Sequence, residues 1–242
     1  MTAGDPSLQA TEALVLSFAR NGVDIVELGV PFSDPLADGT TIQASSQRAL
    51  QSAVNIPKIL NAVKRIRTES QIPIALMTYY NPVYHYGEQK FVQDAKRSGV
   101  DGILIPDLPP EEASGIIRHA RRNGISIIFF LAPTSTQQRV RRIVRQSTGF
   151  VYYVSLTGVT GAHKGFDKRN SDKIRSARKI TAKPICVGFG VSTPAQVRAA
   201  AKIADGVIVG SAIVDQINKN AGKRNLVRNT SRFVRALAKG LS

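Results

Sequence analysis

Short apolar runs rich in β-branched residues alternate along this chain with longer segments in which apolar residues recur every three or four positions. The first pattern is that of buried parallel strands, the second that of helices packed on one face. Strands are expected at 24–28, 74–78, 102–105, 126–131, 150–154, 185–188 and 206–209. Helices are expected at 7–21, 56–69, 89–98, 110–123, 136–146, 171–180, 194–203, 211–218 and 226–238. Several ends carry their own punctuation. Asp5-Pro6 reads as an N-cap followed by proline at the first helical position, and Pro109-Pro110-Glu111-Glu112 as a helix opened by prolines and acids. Arg20-Asn21-Gly22 and Asn123-Gly124 read as C-terminal stops.

Strands that alternate with helices form a parallel sheet whose crossovers are those helices. Seven strands with this many helices fit a closed ring better than an open sheet. The expected fold class is therefore α/β, a (β/α)₈ barrel of the TIM type. Met1-Thr2-Ala3-Gly4-Asp5-Pro6 reads as the end of a first strand and its loop, the body of that strand being expected to lie outside the sequence. No linker, repeat or low-complexity tract interrupts the 242 residues, so 1–242 is expected to form one domain.

Composition narrows the class. A hydrophobic content of 43% with 21% charged residues excludes a wholly disordered chain. No apolar run approaches the roughly 20 residues that span a bilayer, and no signal-peptide pattern opens the chain, so a cytoplasmic location is expected. The single cysteine, Cys186, lies in an apolar run and reads as a buried strand thiol. Charge is uneven: residues 1–112 carry a net −4 and residues 113–242 a net +20. The arginines at 118, 121, 122, 139, 141, 142 and 145 fall at helical spacing between apolar residues, as on solvated outer faces of barrel helices. Specific nucleic-acid binding is not expected from that pattern, and weak polyanion binding stays as the alternative.

In parallel barrels the chemistry sits at the C-terminal ends of the strands, so polar residues there are the candidates. Period-two alternation puts Ile25 and Glu27 on one face and Val26 and Leu28 on the other, which aims a carboxylate into the barrel or at its mouth. Such a group suits general acid/base work if burial raises its pKa, and a structural carboxylate paired with a cation is the other reading. The following loop carries Asp34 and Asp38 on a segment stiffened by Pro31 and Pro35. Three late glycine loops, 157–161, 188–190 and 210–211, follow successive strands, and the last opens a helix. Exposed N–H groups at such positions make a phosphate cradle. One of Tyr152 and Tyr153 must face inward, where it could bond a reacting hydroxyl or fill the barrel. His85, His119 and His163 are far apart in sequence and lack a ligand partner at metal spacing, so no metal site is expected.

The run 27–39, ELGVPFSDPLADG, closely resembles the signature of the tryptophan synthase α-subunit family. So do TAGDP at 2–6, YNP at 80–82, PDLP at 106–109, GVTG at 158–161, GFG at 188–190 and GS at 210–211. The resemblance implies a lyase that splits indole-3-glycerol phosphate into indole and glyceraldehyde 3-phosphate by retro-aldol cleavage. It implies Glu27 as the general acid/base at indole C3, Asp38 as the carboxylate that meets the indole N–H, and Tyr152 as the active-site tyrosine. Thr160 matches the lid-loop threonine that bonds the second carboxylate, and Gly161, Gly190, Gly210 and Ser211 match the phosphate-binding positions. The implied partner is a β-subunit in an α2β2 heterotetramer, met through the loops that carry Pro31, Asp34 and Asp107. No metal or organic cofactor is implied on this chain, pyridoxal phosphate belonging to the partner. A sugar-phosphate isomerase or epimerase would share the late glycine loops but would not need the 27–39 segment. A catalytically weak activator of the β-subunit is the non-enzyme alternative.

Overall fold

The structure, a computed structural model, describes residues 1–154, 168–188 and 190–241. Its strands are β1 (Val26–Gly29), β2 (Ile74–Met77), β3 (Gly102–Leu104), β4 (Ser126–Ile128), β5 (Phe130–Leu131), β6 (Val151–Val154), β7 (Ile185–Gly188) and β8 (Gly206–Ile208). Each pairs in parallel with its sequence neighbour in two runs, β1 to β4 and β5 to β8. Only Phe129 separates β4 from β5, and its carbonyl accepts from Tyr152 N at 3.1 Å, so the two runs are joined by one continuous stretch of chain. Met1–Ala3 lie parallel beside β1. Gly29 N donates to Met1 O at 2.8 Å and Ala3 N to Gly29 O at 2.9 Å.

Alternation along these strands sorts the apolar residues into two layers. Outward residues such as Leu28, Leu76, Ile103, Ile127, Leu131, Tyr153 and Val187 pack with the helices in one large core. Inward residues form a second, smaller cluster in which Ala75, Leu104 and Ile128 are met by Met77, Phe130, Phe150 and Tyr152. The ladder registers agree: Ala75 pairs with both Glu27 and Gly102, and Phe130 with Tyr152. Two enclosed layers around a parallel ring are those of the (β/α)₈ barrel. Gly102 belongs to the inner layer because a β-carbon there would stand 2.9 Å from Ile128 Cδ1.

The helices around the ring are α1 (Leu8–Ala19), α2 (Thr40–Gln51), α3 (Ile56–Arg67), α4 (Tyr80–Tyr86), α5 (Glu88–Ser98), α6 (Ser114–Asn123), α7 (Gln137–Gln146), α8 (Lys168–Arg178), α9 (Pro194–Ala201), α10 (Ser211–Asn220) and α11 (Leu226–Ala238). No helix of the described residues is long and apolar enough to cross a membrane. Three readings of helix ends and contents are corrected. Ser7, not Asp5, caps α1, its hydroxyl accepting from Ala10 N, while the Asp5 carboxylate is taken by Arg48. The helix expected from 110 begins at Ser114, because 109–113 form a turn closed by Glu112 N on Pro109 O. Two helices, α2 and α4, are additional. The buried face of α2 is Ser45, Ser46 and Ala49, so no apolar period marks it. In α4, Pro82 sits in the first turn, where its missing N–H has no helical acceptor to lose.

At the end of the ring opposite the loops that carry the candidate residues, two aspartates repeat one device. Asp101, just before β3, accepts from Ile74 N at 2.8 Å and from Arg67 at 2.6 Å. Asp205, just before β8, accepts from Ile185 N at 2.9 Å and from Arg178 at 2.7 Å. Each carboxylate satisfies the first N–H of the neighbouring strand and ties it to the end of the preceding helix. Strand starts are thus held at one end, and the other end is left to the loops that build the site.

Candidate active site

Glu27 projects from β1 to the inner face, in register with Ala75 of β2. Burial there pushes its carboxyl above the usual range; the Met1 ammonium opposes the shift and the Asp38 charge adds to it. The main chain then leaves β1 and folds over the mouth through residues 30–39. Asp38 stands at the end of this loop, immediately before Gly39, the N-cap of α2. Its carboxyl is also raised by burial, with a bond from Tyr79 acting the other way.

Tyr79 is the residue that sequence reasoning missed. It follows β2, is 5% exposed, and its hydroxyl donates to Asp38 Oδ2 at 3.1 Å while accepting from Ala37 N at 2.9 Å. One phenol thus fixes both the carboxylate and the backbone next to it. Phe32 packs on its ring at a centroid distance of 5.4 Å. Burial, and then the Asp38 charge, hold the phenol protonated far above the ordinary range. The signal was available, since Tyr79 is a polar residue just past the C-terminal end of a strand.

Of the two tyrosines in β6, Tyr152 is the inward one, packed against Phe130 at 4.9 Å and Phe150 at 6.3 Å. Tyr153 points to the helices and donates to Asn170 at 3.0 Å. The Tyr152 hydroxyl passes over Gly188, where a β-carbon would stand 2.9 Å from it. Its pKa is raised well above normal by burial, and the fields of Glu27, Cys186 and Asp38 add to the shift. Tyr152, Glu27 and Asp38 therefore share one electrostatic neighbourhood. Cys186, also inward, is only partly buried, and its thiol is pushed up to about 11, chiefly by burial.

The late glycines stand at the same end of the ring. Gly190, after β7, is exposed with φ +52°, and among the described residues nothing lies within 4 Å of where its β-carbon would be. Gly210 is the N-cap of α10 and, among the described residues, has no side-chain cap bond and the same open space. Its carbonyl accepts from Ile213 N at 2.9 Å and Val214 N at 3.2 Å, so the N–H groups of Ser211 and Ala212 precede the helical ladder. Thr160 and Gly161 lie outside the described residues. Of the three residues expected to meet a partner, Pro31 is buried and Asp34 and Asp107 are exposed. Asp34 accepts from Ser33 Oγ at 2.7 Å, and Asp107 from Tyr80 N at 2.9 Å, at the start of α4. Leu36, two residues after Asp34 and 94% exposed, is an apolar side chain that the sequence pattern does not single out.

The arrangement places two acids of raised pKa and a neutral phenol at one end of a ring, with free helix N–H groups on the same rim. It can move a proton inside the barrel and hold an anion at its edge. The family described as "Tryptophan synthase alpha chain" matches residues 1–242. A relative of that name from Geobacter sulfurreducens is 52% identical over 241 residues, covering 100% of this chain and 91% of its own. One from Thermoanaerobacter sp. is 45% identical over 237 residues, covering 98% of this chain and 90% of its own. The solved structure of the tryptophan synthase α2β2 complex from Pyrococcus furiosus superposes with a TM-score of 0.91 at 42% identity, over 98% of this chain and 95% of that one. The tryptophan synthase subunit alpha from Legionella pneumophila gives 0.91 at 33% identity, over 100% and 90%. The chain belongs to the tryptophan synthase α-chain family.

Proposed function

We propose that this chain carries out its family's lyase reaction with Glu27 as the general acid/base and Asp38 as the anion that meets the indole N–H. The reaction is the retro-aldol cleavage of indole-3-glycerol phosphate to indole and glyceraldehyde 3-phosphate in tryptophan biosynthesis. The observation that carries the assignment is the inward Glu27, whose carboxyl is held by burial above its ordinary pKa, the direction that suits a general acid. Glu27 delivers that proton to indole C3. The bond from C3 to the glycerol carbon then breaks and its electron pair restores the aromatic ring. The hydroxyl on the departing carbon loses its proton and becomes the aldehyde, and the Glu27 carboxylate is left to take that proton up.

Protonation at C3 places positive charge on the ring nitrogen, so ionised Asp38 stabilises the intermediate more than the substrate, which is what catalysis requires. Tyr152 supplies a neutral hydroxyl on the inner wall. Gly190, Gly210 and Ser211, with Gly161, cradle the substrate phosphate through backbone N–H groups and the positive end of α10, and Thr160 acts in the lid. The chemistry uses no metal or organic cofactor on this chain. Its partner is a β-subunit that carries pyridoxal phosphate, docked in an α2β2 heterotetramer of the kind the Pyrococcus furiosus complex forms. Asp34, Leu36 and Asp107 face that partner, while buried Pro31 shapes the loop. The whole chain acts as one domain in the cytoplasm.

Three outcomes are expected. Glu27→Gln keeps the shape of the side chain and removes proton transfer, so kcat should fall at least about 100-fold with KM little changed; retention of near-parental kcat in steady-state assays sinks the assignment. In Gly210→Val the added β-carbon has no described residue within 4 Å and the side chain takes up space at the helix terminus, so KM for indole-3-glycerol phosphate should rise strongly while affinity for indole alone stays put. Equal binding of phosphate analogues to parent and variant, read by calorimetry, would move the cradle elsewhere. Leu36→Asp should weaken association with the β-subunit about tenfold or more, as followed by sedimentation; unchanged association takes Leu36 out of the docking face.

A further inference from the structure

Helix α2 connects the two halves of the proposed site. It begins two residues after Asp38, with Gly39 as its N-cap, and it packs along α10, the helix capped by Gly210 and opened by Ser211. Yet its buried face offers only Ser45, Ser46 and Ala49, too little apolar surface to fix its roll or its height. Polar ties do that instead. Arg48 donates from Nε to Asp5 Oδ1 at 2.8 Å and from Nη2 to Asp5 Oδ2 at 2.6 Å, a two-pronged pair in which the Asp5 side chain is 2% exposed. Ser45 gives its proton to Ile42 O at 2.8 Å and so accepts from Thr2 Oγ1 at 2.5 Å. At the other end of the helix, Gln43 Nε2 donates to Asp38 O at 2.8 Å. Asp215, one turn into α10 from Ser211, also lies within electrostatic reach of Arg48.

We propose that Arg48 is a positioning residue that, through its pair with Asp5, holds α2 at the height where Asp38 meets the substrate ring while α10 meets the phosphate. The proposal rests on the lyase reading of the site. Arg48 lies roughly 12 Å down the helix axis from Thr40 at 1.5 Å per residue, so it acts on Asp38 only through the helix. Its guanidinium matches the Asp5 carboxylate along two parallel bonds, a constraint on angle as well as distance that an ammonium does not reproduce. The alternative is a pair that adds stability and nothing more. The two differ in what happens to Asp38. Among the described residues, the titratable groups that bear on it are Glu27, Tyr79 and Tyr152. If α2 slips, Asp38 leaves Tyr79 and gains water, and its raised pKa falls back.

The test compares the parent with Arg48→Met, Arg48→Lys and Ser45→Ala. For each, folding is checked by circular dichroism, kcat and KM are measured across pH, and Asp38 is titrated by carbon-13 NMR without substrate. Arg48→Met should lose at least tenfold in kcat, with the acid limb of kcat/KM and the Asp38 titration both moving to lower pH. Arg48→Lys should recover part of each, and Ser45→Ala should move them the same way by less. Any variant that stays folded with parental kcat and an unmoved Asp38 titration, whatever its melting temperature, overturns the proposal; if Arg48→Met does not fold, Ser45→Ala and Arg48→Lys decide it on the same terms. Absence of cleavage in the parent would fail the lyase reading instead, and the substrate-free titration would still judge the clamp.

Discussion

The cost of burying an ionisable carboxyl is the constraint around which this end of the barrel is organised. Parallel pairing turns every second residue of β1 inward, so Glu27 has no choice of side once Val26 and Leu28 are committed to the outer core. Water that would solvate its charge is displaced by an inner layer of Ala75, Met77, Phe130, Phe150 and Tyr152. The charged form is penalised, and the carboxyl's pKa is raised above that of a glutamate on the surface. Asp38 and Tyr152 answer to the same low-dielectric neighbourhood, which is why the three groups shift in the same direction.

A second constraint follows from where the remaining groups come from. Glu27 rides on a strand held by ladder bonds, but Asp38 and the N–H groups of α10 ride on a loop and on helix ends. Asp38 and its loop are tied by hydrogen bonds to specific side chains, Tyr79 on Asp38 and Ala37 and Gln43 on the Asp38 carbonyl, and Arg48, further along α2, bonds Asp5. Polar ties of this sort specify angle and distance more sharply than apolar packing does.

How much of this could be read from the chain alone depended on whether the physical cause was local. The strands were legible because their alternation is imposed by the pleat; six fall within two residues of where the apolar pattern puts them, and the run 126–131 is divided at Phe129 into β4 and β5. Glu27 was legible for the same reason. Helix α2 was not, because its buried positions are serine and alanine and so carry no hydrophobic period. Asp5 was misread as a cap because its true partner, Arg48, lies 43 positions away. The choice between Tyr152 and Tyr153 was undecided by pattern; the register with Phe130 resolves it. Tyr79 was legible as a polar residue just past a strand, but the partners its phenol holds, Asp38 and Ala37, lie 41 and 42 positions away. The Gly210-Ser211 turn could be read from its place between strand and helix, since an uncapped helix start needs only a glycine and open space.

The central claim is that burial keeps the Glu27 carboxyl protonated where an exposed glutamate would be ionised. Carbon-13 labelling of glutamate side chains, with assignment through Glu27→Gln, allows this single carboxyl to be titrated by NMR in the free protein. The account predicts a midpoint clearly above the ordinary value of about 4.3, together with a loss of kcat/KM as pH rises through that midpoint. A Glu27 resonance that titrates at or below the ordinary value in the folded protein would contradict it.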